Sequence, residues 1–404
     1  MSTFLDLQNG WYNGFLQGMG QSANSFQIIQ PAPPIASGTA ADSMFWAYYN
    51  NLPPFSLTQQ FTPSGGNQFY NNYRALMSAL VPSRTIDVQA DIGAANYTKW
   101  QNYILGLATP PSMNQLPTLF RNWAMIFAPN VANIGSSDYA AILLDPIATA
   151  QNELTLIYTD INGLPKSFNW TLSYMDMVGQ LIASPSRQFS FDSQTMNSNV
   201  STSWTKGSNS GFFGLWGGST TSSSISQQFA ASHVTVTASF DNVLVFANTP
   251  GLWYYSSAMG LAFANKTGNP WSAQSSINWN NTFGSNGNMQ LFAANLIIAS
   301  GMTVKVTSDA SYSTLDQQTI TSSGSSGFWP FYSGSSGSSS TNTATFNEQG
   351  QMTITTTSLK GVPVVLGVNV LPVAQFVGHS AAMGTSLYAA AKSFKPEKEF
   401  EKYA

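Results

Sequence analysis

A stretch of aromatic residues set in Gly and Ser occurs twice in this chain. The first copy runs Ser210-Gly211-Phe212-Phe213-Gly214-Leu215-Trp216-Gly217-Gly218-Ser219, and the second Ser326-Gly327-Phe328-Trp329-Pro330-Phe331-Tyr332-Ser333-Gly334-Ser335. An alternating apolar segment follows each, through Val234 and Val236 after the first and Met352 and Ile354 after the second. Phe212 and Phe328 lie about 116 positions apart and Val234 and Met352 about 118, so the two halves keep register. Self-similarity at a held spacing is read as duplication before any local pattern. The expectation is two β-modules, about residues 189–250 and 302–370, sharing one topology, each with an aromatic loop.

Charge restricts what such a chain can engage. Asp, Glu, Lys and Arg make up 8% of the 404 residues, against roughly 25% in a typical soluble domain. Ser, Thr, Asn and Gln fill the deficit, giving a neutral polar surface with little colloidal repulsion. A net charge of −3 argues against nucleic acid, which is bound by neutralising phosphates with Lys and Arg. There is no cysteine, which removes disulfides and thiolate sites. The N-terminus lacks the basic and apolar regions of a secretory signal. That places synthesis in the cytoplasm and leaves a non-classical release route open. Residues 361–384 form the longest uncharged apolar stretch, but Pro363, Asn369, Pro372, Gln375 and His379 interrupt it. It is read as buried strand and turn rather than a membrane-spanning helix.

Taken in order, residues 1–40 are rich in Gly, Asn and Pro and read as an extended arm that packs through Phe4, Trp11, Tyr12 and Phe15. Residues 41–150 read as helical. Phe69, Tyr73, Leu76, Met77 and Leu80 share one helix face, Tyr97, Trp100, Ile104 and Leu107 a second, and Leu116, Leu119, Phe120, Trp123 and Phe127 a third. A fourth helix is expected from a Ser136 or Ser137 cap toward Leu144, with Asp145-Pro146 disturbing it. The period changes after Leu154. Leu154, Leu156 and Tyr158, then Phe168, Trp170, Leu172 and Tyr174, alternate around Asn162-Gly163, which predicts a hairpin. Residues 151–377 accordingly read as a β-rich region, and the fold class as α+β. Within it, the apolar phase shifts between Phe229 and Val234, which predicts a bulge or a break near Ala231-Ser232. Residues 378–404 form a charged tail, in which seven of the thirteen residues from Lys392 onward are Lys or Glu.

A Ser/Gly/aromatic loop, an alternating strand, the Pro250-Gly251-Leu252-Trp253 turn and a second such loop resemble a group of uncharacterised microbial proteins. The resemblance covers about residues 189–377 and implies no activity.

Catalytic constellations are sparse. His233 and His379 are the only histidines; neither has metal-ligand spacing, and each is read as structural. No serine lies in Gly-x-Ser-x-Gly. Gly260 to Thr267 approaches a phosphate loop, but Asn265 stands where the second Gly is needed to expose backbone amides. No cofactor and no metal are expected, and no enzyme activity is assigned.

The aromatic loops remain. Phe212, Phe213, Leu215, Trp216, Phe328, Trp329, Phe331 and Tyr332 are the candidate binding residues, since burying one such side chain is worth about 1.5–3 kcal/mol. They either cap their own modules or bury against a partner. Three functions fit: a non-catalytic structural or assembly protein acting through self-association as a homo-oligomer or through partner docking by the aromatic loops; a membrane-active, pore-forming-type protein inserting the loop tips; and a glycan-binding protein using exposed aromatics and Asn-rich loops such as Trp279-Asn280-Asn281. For the second, Ser219–Ser224 and Ser333–Asn342 supply no lipid-facing apolar row. Shallow insertion of the tips therefore fits better than a spanning barrel.

Overall fold

An 18-residue strand, Leu291–Ser308, is the spine of the larger of two units. Its first ten residues are almost all buried, whereas from Met302 onward buried and more exposed residues alternate. Gly301 marks the change, with φ of +63° in mid-strand. A β-carbon there would also lie 2.4 Å from Asp241 Oδ2, so only glycine fits the bend.

The computed structural model describes residues 4–29, 35, 37–54, 66–83, 86–108, 111–155, 169–200, 223–322, 327–328, 331–332 and 340–377. In chain order the helices are α1 (Phe4–Met19), α2 (Ala41–Asn50), α3 (Phe69–Ser78), α4 (Val88–Ile92), α5 (Ala94–Leu105), α6 (Leu116–Phe127), α7 (Ala132–Ile142), α8 (Pro146–Thr155), α9 (Tyr174–Ile182), α10 (Ser223–Ala231), α11 (Ser256–Ala264), α12 (Trp279–Thr282) and α13 (Thr314–Ser322). The strands are β1 (Phe26–Ile28), β2 (Arg187–Asp192), β3 (Val234–Ala247), β4 (Leu291–Ser308), β5 (Gly327–Phe328), β6 (Phe331–Tyr332), β7 (Ser340–Phe346), β8 (Met352–Ser358) and β9 (Val364–Pro372). Helices dominate the N-terminal part and an antiparallel sheet the C-terminal part, an α+β fold.

The units interleave in sequence, where the sequence reading draws its boundaries in series. One comprises Met1–Phe69, Trp170–Thr249 and Leu291–Leu371, the other Tyr70–Asn169, Pro250–Gln290 and Pro372–Ala404. In the first, the sheet runs β1-β9-β4-β3-β2, and β8 also pairs with β4 and carries β7 on its other side. β3 flanks β4 from Val234↔Ser308 to Ala247↔Asn295. β8 takes the stretch Thr303–Ser308 of the opposite flank.

The N-terminal segment is not an extended arm. It forms α1, a 16-residue helix. Leu7, Trp11, Tyr12, Phe15, Leu16 and Met19 recur at three- and four-residue intervals and are all buried. Gly10, Gly14 and Gly18, four apart, let the helix lie directly on Met196, Phe191 and Phe189. The lost helix propensity, about 1 kcal/mol per glycine, is offset by burial worth about 1.5–3 kcal/mol for each large side chain.

In the second unit the expected helical stripes form α3, α5 and α6. Trp100, Phe120, Trp123 and Tyr139 share one core, and the Trp100 indole N–H donates to the Tyr139 hydroxyl at 2.8 Å. Phe127, expected on the buried stripe, is 59% exposed at the end of α6. α7 begins at Ala132, four residues before the expected Ser136 cap. Asp145-Pro146 starts a helix rather than disturbing one: Asp145 Oδ1 accepts from the amides of Ile147 and Ala148 at 2.9 and 3.0 Å, and Pro146 opens α8.

The hairpin expected over 154–174 is not present at either end. Leu154 is helical in α8, and Tyr174 opens α9 behind a Ser173–Asp176 capping box; residues 156–168 lie outside the described residues. Of the bulge or break expected near Ala231-Ser232, the structure has the break: α10 ends at Ala231 and β3 begins at Val234. Ile225 and Phe229, four apart on α10, point into the core together with Val234 and Val236 of β3. The two modules share an antiparallel strand pair, β2–β3 and β4–β8, joined by a long connection that holds a nine-residue helix. They differ in order. α10 follows its Gly/Ser/aromatic segment, whereas α13 precedes the second, and β7 has no counterpart among the described residues of the first.

Candidate functional site

Both aromatic segments belong to connections rooted at one end of the sheet. β2 ends at Asp192 and β3 begins at Val234, while β4 ends at Ser308 and β8 begins at Met352. The registers Asp192↔Thr235, Val234↔Ser308 and Ser308↔Met352 bring these four ends into one row. Residues 193–233 therefore leave and re-enter the sheet at that end. The chain that leaves after Ser308 returns first at Ser340 of β7, opposite Ser358 at the other end of β8, before reaching Met352. The first connection carries one Lys or Arg, Lys206, and no Asp or Glu; the second carries Asp309, Asp316 and Glu348.

Each connection folds its helix back on the sheet. Ile225, Phe229 and Ala230 of α10 and Ile320 of α13 are buried in the cluster that holds Val306, Met352 and Ile354. Of the candidate binding residues, Phe212, Phe213, Leu215, Trp216 and Trp329 lie outside the described residues. Phe328, Phe331 and Tyr332 form a short ladder, with Phe328 opposite Phe331 and Gly327 opposite Tyr332.

A polar cluster that the sequence reading missed ties the two roots together. His233 Nε2 lies 3.0 Å from Asp192 Oδ1, and the His233 amide donates to Asp309 Oδ1 at 2.7 Å. The Asp309 amide donates back to the His233 carbonyl at 3.3 Å. Ser308 Oγ bonds Ser232 Oγ at 2.8 Å and the Tyr312 hydroxyl at 3.0 Å. Gln228 Nε2 of α10 donates to the Ser311 carbonyl at 2.8 Å, joining one connection to the other. The Gln194 amide holds the Asp192 carboxyl below its ordinary range, against an opposing effect of burial and with a smaller lowering from the His233 ring. Burial pushes the Tyr312 hydroxyl up to about 12.

This cluster joins the two connections by hydrogen bonds alone. The His233 ring is bonded to Asp192, and among the described residues no serine hydroxyl bonds to it, so no Ser-His-Asp relay forms at His233. His379 lies outside the described residues. Among the described residues, no group of three or more His, Asp or Glu is placed to hold a metal ion. No helix among them is long and apolar enough to cross a membrane.

The Asn-rich loop of the other unit lines two small clefts. One, of about 220 Å³, is lined by Asn72, Ala75, Ile277, Asn281, Thr282 and Asn288. The other, of about 430 Å³, is lined by Asn278, Asn280, Asn281, Ser285 and Asn286. Their polar groups are largely committed to their own turn. Asn278 Oδ1 accepts from the amides of Asn280 and Asn281, and Asn281 bonds the Asn278 amide and the Ser276 carbonyl. Trp279 has Lys266 Nζ 4.8 Å from its ring centroid and gives its indole N–H to the Phe263 carbonyl.

No family model, no curated protein and no solved structure matches the chain.

Proposed function

We propose that this is a non-catalytic protein that docks on a lipid interface, with the two Ser/Gly/aromatic segments as its contact tips. One observation supports this over the other readings: the connections that carry both segments leave one sheet from a single row of strand ends, after Asp192 of β2 and after Ser308 of β4. Two segments carried by one unit can engage one surface together, and linked weak contacts reinforce each other.

The chemistry of the connections suits an interface. Phe, Trp and Tyr are the side chains that settle at headgroup depth. The first connection carries a single formal charge, Lys206, and each Lys or Arg taken to the bilayer midplane costs about 2–4 kcal/mol. α10 and α13 have nine residues each, shorter than the roughly 12–15 residues at which isolated helices become even marginal in water. They depend on the sheet for their structure, so the His233 cluster and the buried Ile225, Phe229 and Ile320 determine how readily the connections open. The missing apolar row beside the tips limits the contact to shallow insertion rather than a spanning barrel.

The test is co-sedimentation with phosphatidylcholine/phosphatidylglycerol vesicles, comparing the native chain with the variant F212S/W216S/W329S/F331S. The native chain is expected to pellet with vesicles, and the variant to stay in the supernatant with an unchanged melting temperature. Equal binding by both, no binding by the native chain, or unfolding of the variant would overturn the proposal.

A further inference from the structure

Four large apolar side chains stand exposed around one corner of the second unit. Met125, Ile126 and Phe127 close α6, and Ile126 is 73% exposed. A 3-10 turn, Pro129–Val131, leads into α7, whose first turn exposes Ile134. Pro129, Asn130 and Asn133 are exposed beside them. α6 already turns Leu116, Phe120, Trp123 and Ala124 into the core, so the exposed residues are additional to its buried stripe. No charged residue occurs from Asn122 through Ser137. Single exposed apolar residues are ordinary on a soluble protein, whereas a contiguous group marks a contact surface.

We propose that this corner inserts shallowly into a phospholipid surface. Its shape selects that partner. Consecutive helix residues project about 100° apart, so Met125, Ile126 and Phe127 point around the helix end rather than along one face. A protein groove reads a helix at three- and four-residue intervals and covers only part of such a set. A fluid interface surrounds all three at once. The flanking charges set a depth. Arg121 precedes Met125 by one turn on α6, and Asp138 follows Ile134 by one turn on α7. Charge therefore begins one turn behind the apolar residues on both helices, which limits entry to headgroup depth. Helix ends also carry carbonyls without an intrahelical partner, and these must keep water within reach. The contact lies in the unit that does not carry the aromatic segments, and it does not rest on the role proposed for them.

The chain has no cysteine, so Ile126→Cys introduces a unique thiol for an environment-sensitive fluorophore. Ala95→Cys, at an exposed position in the first turn of α5, is the control. On phosphatidylcholine/phosphatidylglycerol vesicles the emission from position 126 should shift to the blue and be quenched by brominated acyl chains. Emission from position 95 should do neither. The shift at 126 should persist in the F212S/W216S/W329S/F331S background, which separates this contact from the aromatic segments. Ile126→Glu should lower vesicle co-sedimentation of that background, with an unchanged melting temperature. A fluorophore at 126 that stays in water when vesicles are present would overturn the proposal. If the chain still pelleted, the aromatic segments would be left as the cause; if it did not, both readings would fall. A blue shift without vesicles that grows with protein concentration would show that a second copy covers the corner, and would overturn the proposal equally.

Discussion

Gly18 of α1 and Phe189 of β2 touch so closely that a β-carbon on Gly18 would stand 2.3 Å from Phe189 Cγ. The contact is with the root of the ring, not its flexible end, so one element must move to admit a methyl group. Gly18→Ala gains about 1 kcal/mol of helix propensity but overpacks a fitted contact, which costs roughly 1–3 kcal/mol. The expected balance is a net loss of stability in urea unfolding. Adding Phe189→Leu should recover part of it, because the branched aliphatic side chain can turn away from the new methyl.

That contact shows where the sequence is legible and where it is not. The faces of α3, α5 and α6 are carried by large apolar residues at helical spacing, and their buried aromatics follow from that spacing alone. α1 has the same spacing in Leu7, Trp11, Phe15 and Met19, but its glycines resemble a coil to propensity reasoning. The recurrence of Gly10, Gly14 and Gly18 at four-residue intervals is the signal that such a helix must approach another element closely. Ile225 and Phe229 mislead in another way, since a spacing of four satisfies a strand's parity as well as a helix's turn. The cluster around His233 was hidden altogether. His233 lies 41 positions from Asp192 and 76 from Asp309, and only the strand register brings them together.

The Asp192 carboxyl, held by the Gln194 amide and then by the His233 ring, predicts an acid-dependent loosening of the roots. The folded carboxyl titrates below its ordinary value of 3.8. The stabilisation is therefore fully present above that value and is lost as pH falls through the lowered folded value. Asp192→Asn should lower stability at neutral pH and match the native chain in strong acid. Both side chains are substantially exposed, 43% and 33%, so solvent screening limits the difference to about 0.5–1 kcal/mol. Urea midpoints of the two proteins across the acid range would measure it.

Asp138 of α7 predicts the opposite slope in the other unit. Burial, then the Asp91 carboxyl beside it, raises its value from 3.8 to about 6. The folded state therefore holds this proton more tightly than the unfolded chain does. Its contribution is fully present below 3.8 and is lost as pH rises through about 6. Asp138→Asn should flatten that segment of the stability profile and raise the melting temperature at neutral pH. Screening at this partly exposed site holds the gain to about 0.5–1 kcal/mol. A variant whose profile still falls between those two values would show that the Asp91–Asp138 pair is not its source.

Gly301 allows conformation and space to be separated in one experiment. Its φ of +63° costs a side-chain-bearing residue on the order of 1–3 kcal/mol, and a β-carbon would also meet Asp241 Oδ2 at 2.4 Å and Cβ at 2.7 Å. Gly301→Ala should suffer both penalties. Gly301→Ala combined with Asp241→Gly removes the contact but keeps the left-handed backbone, so it should recover only part of the loss relative to Asp241→Gly alone. Because the bend separates the enclosed half of β4 from the half that bears the two roots, the effect should also be spatially graded. Hydrogen exchange should rise first in Thr303–Ser308 and in the β8 residues paired with them, with Leu291–Ser300 protected until global unfolding. Uniform exchange along the whole of β4 would instead mean that the bend contributes stability without dividing the strand.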